Sequence, residues 1–160
     1  MDEIDIRILS MLQEDCKIAQ VELSRRVGLS PASISERLKR LERNGVVKSY
    51  TAILDPRALG VGITAYVFVF VEHPRFEAEL LERLDAVAEV QECHHITGDF
   101  SLLLKIRTRN IETFQDLLFH SINSIPGMRQ TKTVIVLSSP KETTKLSLEI
   151  LSECVNDRQG

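Results

Sequence analysis

Residues 20–43 (QVELSRRVGLSPASISERLKRLER) place the tightest constraint on what this chain can fold into. Apolar residues recur at helical spacing on both sides of Gly28, and glycine is the usual residue where a chain leaves a helix with a positive φ. Ser30 is a good N-cap, and Pro31 suits the first helical position because its missing N–H is not needed there. The stretch therefore predicts two short helices that meet at a tight turn.

The second of these predicted helices is amphipathic, with a basic outer face. Ile34, Leu38 and Leu41 form the apolar stripe that is expected to be buried. This pattern is typical of the helix-turn-helix of DNA-binding domains, although a solvated basic helix in a small bundle has the same periodicity. At about 100° per residue, the side chains that fall on the opposite face are Ala32, Glu36, Lys39, Arg40 and Arg43.

The residues of this stretch suit different kinds of DNA contact. The start of the second helix suits a phosphate, because free N–H groups and the helix dipole favour anions there. The predicted DNA-binding residues are Ser30, Pro31 and Ser33 at the helix start, Ser33, Glu36, Lys39 and Arg40 for base edges, and Arg25, Arg26, Arg43 and Lys48 for phosphates.

Charge is distributed unevenly along the chain. The net charge of −3 argues weakly against a nucleic-acid partner, but residues 24–48 hold seven Lys or Arg and only two Glu. A basic patch on an otherwise acidic protein is the electrostatic footprint of phosphate contact. The local charge therefore supports double-stranded DNA as a partner.

Other classes of protein fit the sequence poorly. We expect no signal peptide, because the first residues lack a basic segment followed by a long apolar stretch, and the longest apolar run, residues 65–71, is too short to span a membrane. An odd number of scattered cysteines (Cys16, Cys93 and Cys154) argues against a disulfide framework or a zinc site. We find no phosphate loop or dinucleotide fingerprint, so we expect a cytoplasmic protein with no cofactor, metal or membrane partner.

The first domain is expected to span residues 1–54. Residues 2–14 are predicted to form a helix capped by Asp2, and the β-rich residues 46–54 predict the strand of a winged helix-turn-helix. Pro56 and two glycines then break the pattern, which places a linker at residues 55–62. A second domain follows at residues 63–140. Residues 141–160 form a tail with some helical spacing.

The second domain changes period. Its pattern predicts the order β-α-β-β-α-β, which is a ferredoxin-like (ACT-like) antiparallel sandwich in a chain of the α+β class. Helices cover one face of such a sheet only, yet the first strand is apolar on both faces, so a homodimer is expected to cover the other. The predicted strands are residues 64–71, 90–97, 100–107 and 131–137, and the predicted helices are residues 76–87 and 111–125.

The two halves together resemble the Lrp/AsnC (feast/famine) transcription regulators. The residues that carry the resemblance are D-x-x-I-L from Asp5, V-E-L-S-R-R-V-G-L-S-P from Val21, R-L-K-R-L-E-R-N-G from Arg37 and Q-E-C-H-H-I-T-G-D-F from Gln91. The resemblance implies a sequence-specific regulator that binds an operator and dimerises through its second domain. It further implies higher assembly, often to octamers, with amino-acid effectors bound between dimers.

The resemblance also implies an effector pocket around the turn at residues 97–101. Many leucine-responsive members have an apolar residue in the place of His95 and Asp in the place of Ser101, so the sequence favours a polar amino acid over leucine. Taken without the resemblance, Gly98-Asp99 is more typical of a plain hairpin turn than of an effector site. The effector residues implied are His95, Thr97, Gly98, Asp99 and Ser101, with Thr133, Val134, Ile135 and Val136 on the last strand.

The alternative hypothesis is that the protein is an enzyme. The same fold resembles sirohaem decarboxylases, which use histidines at a tetrapyrrole site, and His94-His95 is an adjacent titratable pair. Neighbouring side chains in a strand point to opposite faces, so His94 and His95 are not expected to share one ligand. We therefore predict no catalytic residues and favour a regulator over an enzyme.

Overall fold

The computed structural model describes residues 1–148, which divide into two compact units. The first unit comprises Met1–Ile53 together with residues 142–148, and the second comprises Leu54–Lys141.

The first unit contains three helices: α1 (Glu3–Glu14), α2 (Gln20–Val27) and α3 (Pro31–Arg43). Asp2 caps α1 in a reciprocal arrangement, in which its carboxylate accepts from the Asp5 N–H at 2.9 Å and Asp5 accepts from the Asp2 N–H at 3.0 Å. Gly28 has a φ of +75° between α2 and α3, where a side chain would be strained. The three predicted helices and their caps are thereby confirmed.

The core of the first unit is the predicted apolar stripe. Ile8, Leu23 and Ile34 are fully buried, one from each helix, and Leu38 packs against them. Burying a side chain of this size contributes about 1.5–3 kcal/mol. This packing fixes the outward orientation of the opposite face of α3.

The strand expected at residues 46–54 is absent from the described structure. A strand needs a neighbouring edge for its backbone N–H groups, and all four strands among residues 1–148 lie in the second unit. The N–H groups of Val46 and Val47 are instead directed at the Leu41 carbonyl, at 2.9 and 3.3 Å, and close the end of α3. Strand propensity alone did not decide this segment.

The start of the tail packs on α1, a contact that the sequence did not indicate. The Gln13 carboxamide binds the backbone of Leu146 twice, donating to its carbonyl at 3.1 Å and accepting from its N–H at 2.7 Å. Lys145 Nζ lies 2.7 Å from Glu14 Oε2. Residues 142–148 form no helix, and the rest of the expected tail helix lies outside the described residues.

The second unit has the predicted order. The elements are β1 (Ile63–Val71), α4 (Glu77–Asp85), β2 (Val90–His95), β3 (Leu102–Thr108), α5 (Ile111–Asp116) and β4 (Met128–Ile135). The strands form one antiparallel sheet in the order β2-β3-β1-β4. A short 3₁₀ turn, Pro74–Phe76, precedes α4, and a π-helical turn, Leu117–Ile122, continues α5.

The two faces of the sheet have different surroundings. Ala65, Val67 and Val69 alternate toward α4 and α5, and with their β3 neighbours they form the main core. The side chains between them belong to the other face, on which no described helix of this unit lies. We call this surface the open face; its apolar members are Tyr66, Phe68, Phe70, Leu103 and Val134.

Candidate nucleic-acid interface and effector site

The outer face of α3 is exposed and basic. Lys39 and Arg43 are exposed and have no hydrogen-bond or ion-pair partner among residues 1–148, and the same holds for Lys48 beyond the helix. Ser30 caps α3 by accepting from the Ser33 N–H at 3.2 Å. That bond leaves the Ala32 N–H, rather than that of Ser33, available for an anion at the helix start.

Arg40, predicted as a base-reading residue, is held from within the unit. Its Nη2 lies 2.8 and 3.0 Å from the two carboxylate oxygens of Asp5, a side chain that is 0% exposed. Arg37 Nη1 lies 2.7 Å from Asp5 Oδ1 and 2.7 Å from Asp2 Oδ2. Arg40 is therefore not a free cation, in contrast to Lys39 and Arg43.

The ion cluster of Asp2, Asp5, Arg37 and Arg40 could not be read from the periodicity of the sequence. Hydrogen bonds to Asp2 and then to Asp5 raise the pKa of Arg37 above its ordinary value. Partial burial is the largest single influence on the pKa of Asp2 and raises it, but the hydrogen bonds from Arg37 and from the Asp5 N–H, together with the charges of Arg37 and Arg40, outweigh burial and lower the pKa. The available signal was an acidic residue, Asp5, placed beside the apolar stripe of α1, where an unpaired charge is costly.

Glu22 holds the two arginines predicted for phosphate contact on α2. Its Oε1 lies 2.7 Å from Arg25 Nη2 and 2.6 Å from Arg26 Nε. Hydrogen bonds from Arg25 and then Arg26 lower the pKa of Glu22 to about 2. Both arginines remain exposed, so each can still reach a phosphate if it leaves Glu22.

The turn at residues 97–101 joins β2 to β3 beside the end of β1. Gly98 has a φ of +109°, which explains why glycine is needed there. Ser101 is fixed to β1, because its N–H donates to the Val69 carbonyl at 2.9 Å and its hydroxyl accepts from the Val71 N–H at 3.3 Å. Thr97 and Asp99 remain exposed.

His95 lies near this turn and contacts a residue that the sequence did not single out. Its Nε2 is 2.5 Å from Oε1 of Glu77, at the start of α4. His94 lies on the opposite face, where its Nε2 is 3.2 Å from Glu92 Oε2. The two histidines thus engage different carboxylates, as the strand geometry predicts. Among residues 1–148, no three His, Cys, Asp or Glu side chains are grouped to hold a metal ion.

The predicted effector residues fall into two separate groups within one chain. Thr133, Val134 and Ile135 pair with residues 65–67 of β1, whereas Ser101 lies beside Val69 and Val71, across β1 from β4. At about 3.3 Å per residue and 4.8 Å per strand, the groups are roughly 15 Å apart. The structure therefore does not unite the predicted set in a single pocket of one chain.

Comparison with known families matches both halves of the chain. Residues 1–48 match a family described as winged helix-turn-helix DNA-binding, and residues 64–146 match the Lrp/AsnC ligand binding domain. Among helices within residues 1–148, none combines the length and apolar character needed to cross a membrane.

Similar proteins extend over nearly the whole chain. The HTH-type transcriptional regulator FL11 of Pyrococcus horikoshii is 40% identical over 93% of this chain and 97% of its own. The leucine-responsive regulatory protein of Salmonella typhimurium is 39% identical over 93% and 92%. The Neisseria meningitidis regulator NMB0573, solved as an L-Met complex, superposes with a TM-score of 0.89 at 32% identity, covering 94% of this chain and 99% of that one.

Replacing Glu22 by Gln is expected to strengthen binding to duplex DNA of any sequence. The change removes a negative charge and releases Arg25 and Arg26, so affinity in 50 mM salt should rise by about threefold to tenfold. Fluorescence anisotropy with a labelled duplex measures the effect. Glu79→Gln, which releases Arg83 in the second unit, is the matched control. Unchanged affinity in Glu22→Gln would exclude these arginines as phosphate contacts.

The same ion pair predicts a pH dependence. The pKa of Glu22 falls from its ordinary 4.5 to about 2, so its stabilising contribution is complete above about pH 5 and is lost as the pH falls toward 2. Carboxyl chemical shifts report this titration directly. DNA affinity between pH 5 and 8 should show no step from Glu22.

Proposed function

The chain belongs to the Lrp/AsnC family of transcription regulators, and on that premise we propose that the outer face of α3 binds its operator. The chain is a DNA-binding regulator rather than an enzyme, since its relatives are named transcriptional regulators in both sequence and structure. The observation that carries the proposal is the pair of exposed cations Lys39 and Arg43 on a capped helix, neither of which has a hydrogen-bond or ion-pair partner in the part of the chain that the structure describes. We place the protein in the cytoplasm, with its DNA.

The contacts we propose follow from position and charge. The Ala32 N–H and the Ser30 cap face a phosphate at the start of α3, and Arg43 and Lys48 hold phosphates beyond its end. Ser33, Glu36 and Lys39 lie on the face that meets base edges. Arg25 and Arg26 add phosphate contacts by exchanging Glu22 for DNA. Pro31 shapes the helix start but has no N–H to donate.

Lys39→Ala and Arg43→Ala are expected to weaken DNA binding in different ways. Lys39→Ala should reduce the free energy of operator binding by about 1–3 kcal/mol and relax the sequence preference at one base position. Arg43→Ala should weaken binding to all DNA sequences alike, and it should reduce the slope of log affinity against log salt concentration by about one unit. Arg83→Ala, in the second unit, serves as the control for loss of a surface arginine. If both α3 variants kept wild-type affinity and salt slope, α3 would not be the recognition helix.

We propose that a second copy of the chain covers the open face. The support is a contiguous group of half-exposed apolar side chains on a sheet whose helices all pack on the other side. An interface of this kind brings two α3 helices together on successive half-sites. Further association of dimers, to an octamer in the family pattern, completes the assembly.

Val134→Glu is expected to shift the protein toward monomer, because it buries a carboxylate in the proposed interface. The matched control is Ile111→Glu on α5, since Ile111 is 45% exposed and Val134 is 44% exposed. Sedimentation velocity at micromolar concentration should show dimers or larger species for the wild type and the control. A monomeric wild type would contradict the proposal.

We propose an amino-acid effector bound between copies. Two copies can unite the groups that one chain keeps apart, with the turn at residues 97–101 and His95 from one and residues 133–136 from another. Glu77, at 2.5 Å from His95, supplies a carboxylate for the ammonium group, in place of the acidic residue that position 101 lacks. His95 and Ser101 then favour a polar effector side chain, since an apolar one leaves them unpaired.

Calorimetry is expected to show tighter binding of asparagine or glutamine than of leucine or methionine. Glu77→Gln should weaken the binding of every amino acid, by about 1.5–3 kcal/mol in binding free energy, because a charged hydrogen bond to the ammonium group is lost. His95→Leu should reduce the preference for polar side chains, while His120→Leu, an exposed histidine on the π-helical turn, should change neither. Tighter binding of leucine by the wild type would contradict the polar preference, and no binding by any amino acid would contradict the effector itself.

A further inference from the structure

The ion cluster of the first unit connects α1 to the DNA-facing helix through one buried carboxylate. Asp5 is 0% exposed, and its oxygens accept from Arg37 at 2.7 Å and from Arg40 at 2.8 and 3.0 Å. A buried carboxylate with this number of charged donors has a defined orientation, and it restricts the donors equally. The two arginines are therefore held in place from below α3.

The two arginines differ in exposure rather than in the number of free N–H groups. Arg37 uses only Nη1, which is shared between Asp2 and Asp5, and Arg40 uses only Nη2. Each guanidinium therefore keeps three N–H groups with no partner among residues 1–148. Arg37 is 21% exposed and Arg40 is 44% exposed, so Arg40 is the arginine of the cluster that presents its free N–H groups on the more exposed side chain.

We propose that Asp5 is a positioning residue for DNA recognition, which acts by holding Arg40 so that its free N–H groups meet the DNA. Fixing a long side chain before binding removes the rotamer entropy that an unconstrained arginine loses at the interface. The inference rests on the proposed role of α3. It adds to that role the requirement that Arg40 works only when Asp5 holds it.

The sign of the effect distinguishes this role from simple electrostatics. Removing a carboxylate near a DNA-binding surface should by charge alone increase affinity for DNA. Positioning requires the opposite: Asp5→Asn should weaken binding. Glu3→Gln is the matched control, because Glu3 is an exposed acid on the same turn of α1 with no ion-pair partner among the described residues.

The experiment is a double-mutant cycle on the full chain with Asp5→Asn, Arg40→Gln and the double variant. The probes are a duplex selected by the wild type from a random library and a scrambled duplex of equal length. Each single variant should lose about tenfold in affinity for the selected duplex and less for the scrambled one. Asp5→Asn should change affinity by less than about twofold when Arg40→Gln is already present. Glu3→Gln should bind as tightly as the wild type or more so.

Additive losses in the cycle, or an Asp5→Asn variant that binds as well as Glu3→Gln, would overturn the proposal. Circular dichroism checks the fold of each variant. If Asp5→Asn does not fold, Arg40→Lys decides the question, since Asp5 keeps Arg37 in that variant. A lysine ammonium has one nitrogen, so the group that binds Asp5 is the same group that must reach the DNA, and Arg40→Lys should lose most of the affinity that Arg40→Gln loses; wild-type affinity would overturn the proposal. If one of these results overturned the role of Asp5 while Arg43→Ala still weakened DNA binding, α3 would remain the recognition helix and only the positioning role would be lost.

Discussion

The alternation of side chains along β1 and β3 is the constraint on which the second unit depends. Successive residues of a strand point to opposite faces. The alternation that buries Ala65, Val67 and Val69 against the helices therefore places Tyr66 and Phe68 on the open face. The same alternation separates His94 from His95, which pairs with Glu77. Both the expected dimer surface and the arrangement of the effector residues follow from it.

In the first unit, the buried carboxylate of Asp5 joins α1 to α3 in addition to the apolar core. Removing Asp5 from water is costly, and its direct hydrogen bonds to Arg37 and Arg40 offset that cost only if their geometry is good. An ion cluster of this kind is weak evidence for added stability. Its hydrogen bonds between α1 and α3 are directional, however, whereas the apolar contacts of Ile8 and Ile34 are not.

Local signals in the sequence were sufficient for the helices and their ends. Ser30, Pro31 and Gly28 act within a few residues of themselves, so their roles as cap, first helical residue and turn could be predicted without the rest of the fold. The order of helices and strands along the second domain was also predictable, because a change of hydrophobic period marks each element. The strand expected at residues 46–54 was not found, because strand formation depends on a partner edge that propensity does not contain.

The candidate sites also contain some features that the sequence predicts and others that depend on tertiary packing. The sequence by itself determined which residues face outward on α3 and which turn carries Gly98, since both follow from helical and turn geometry. Only the tertiary structure decided that Arg40 is held by Asp5, that Glu77 reaches His95, and that Gln13 holds Leu146. Each of these contacts joins residues at least 18 positions apart. Their pairing depends on how helices and strands pack in three dimensions, which hydrophobic periodicity along the chain does not encode.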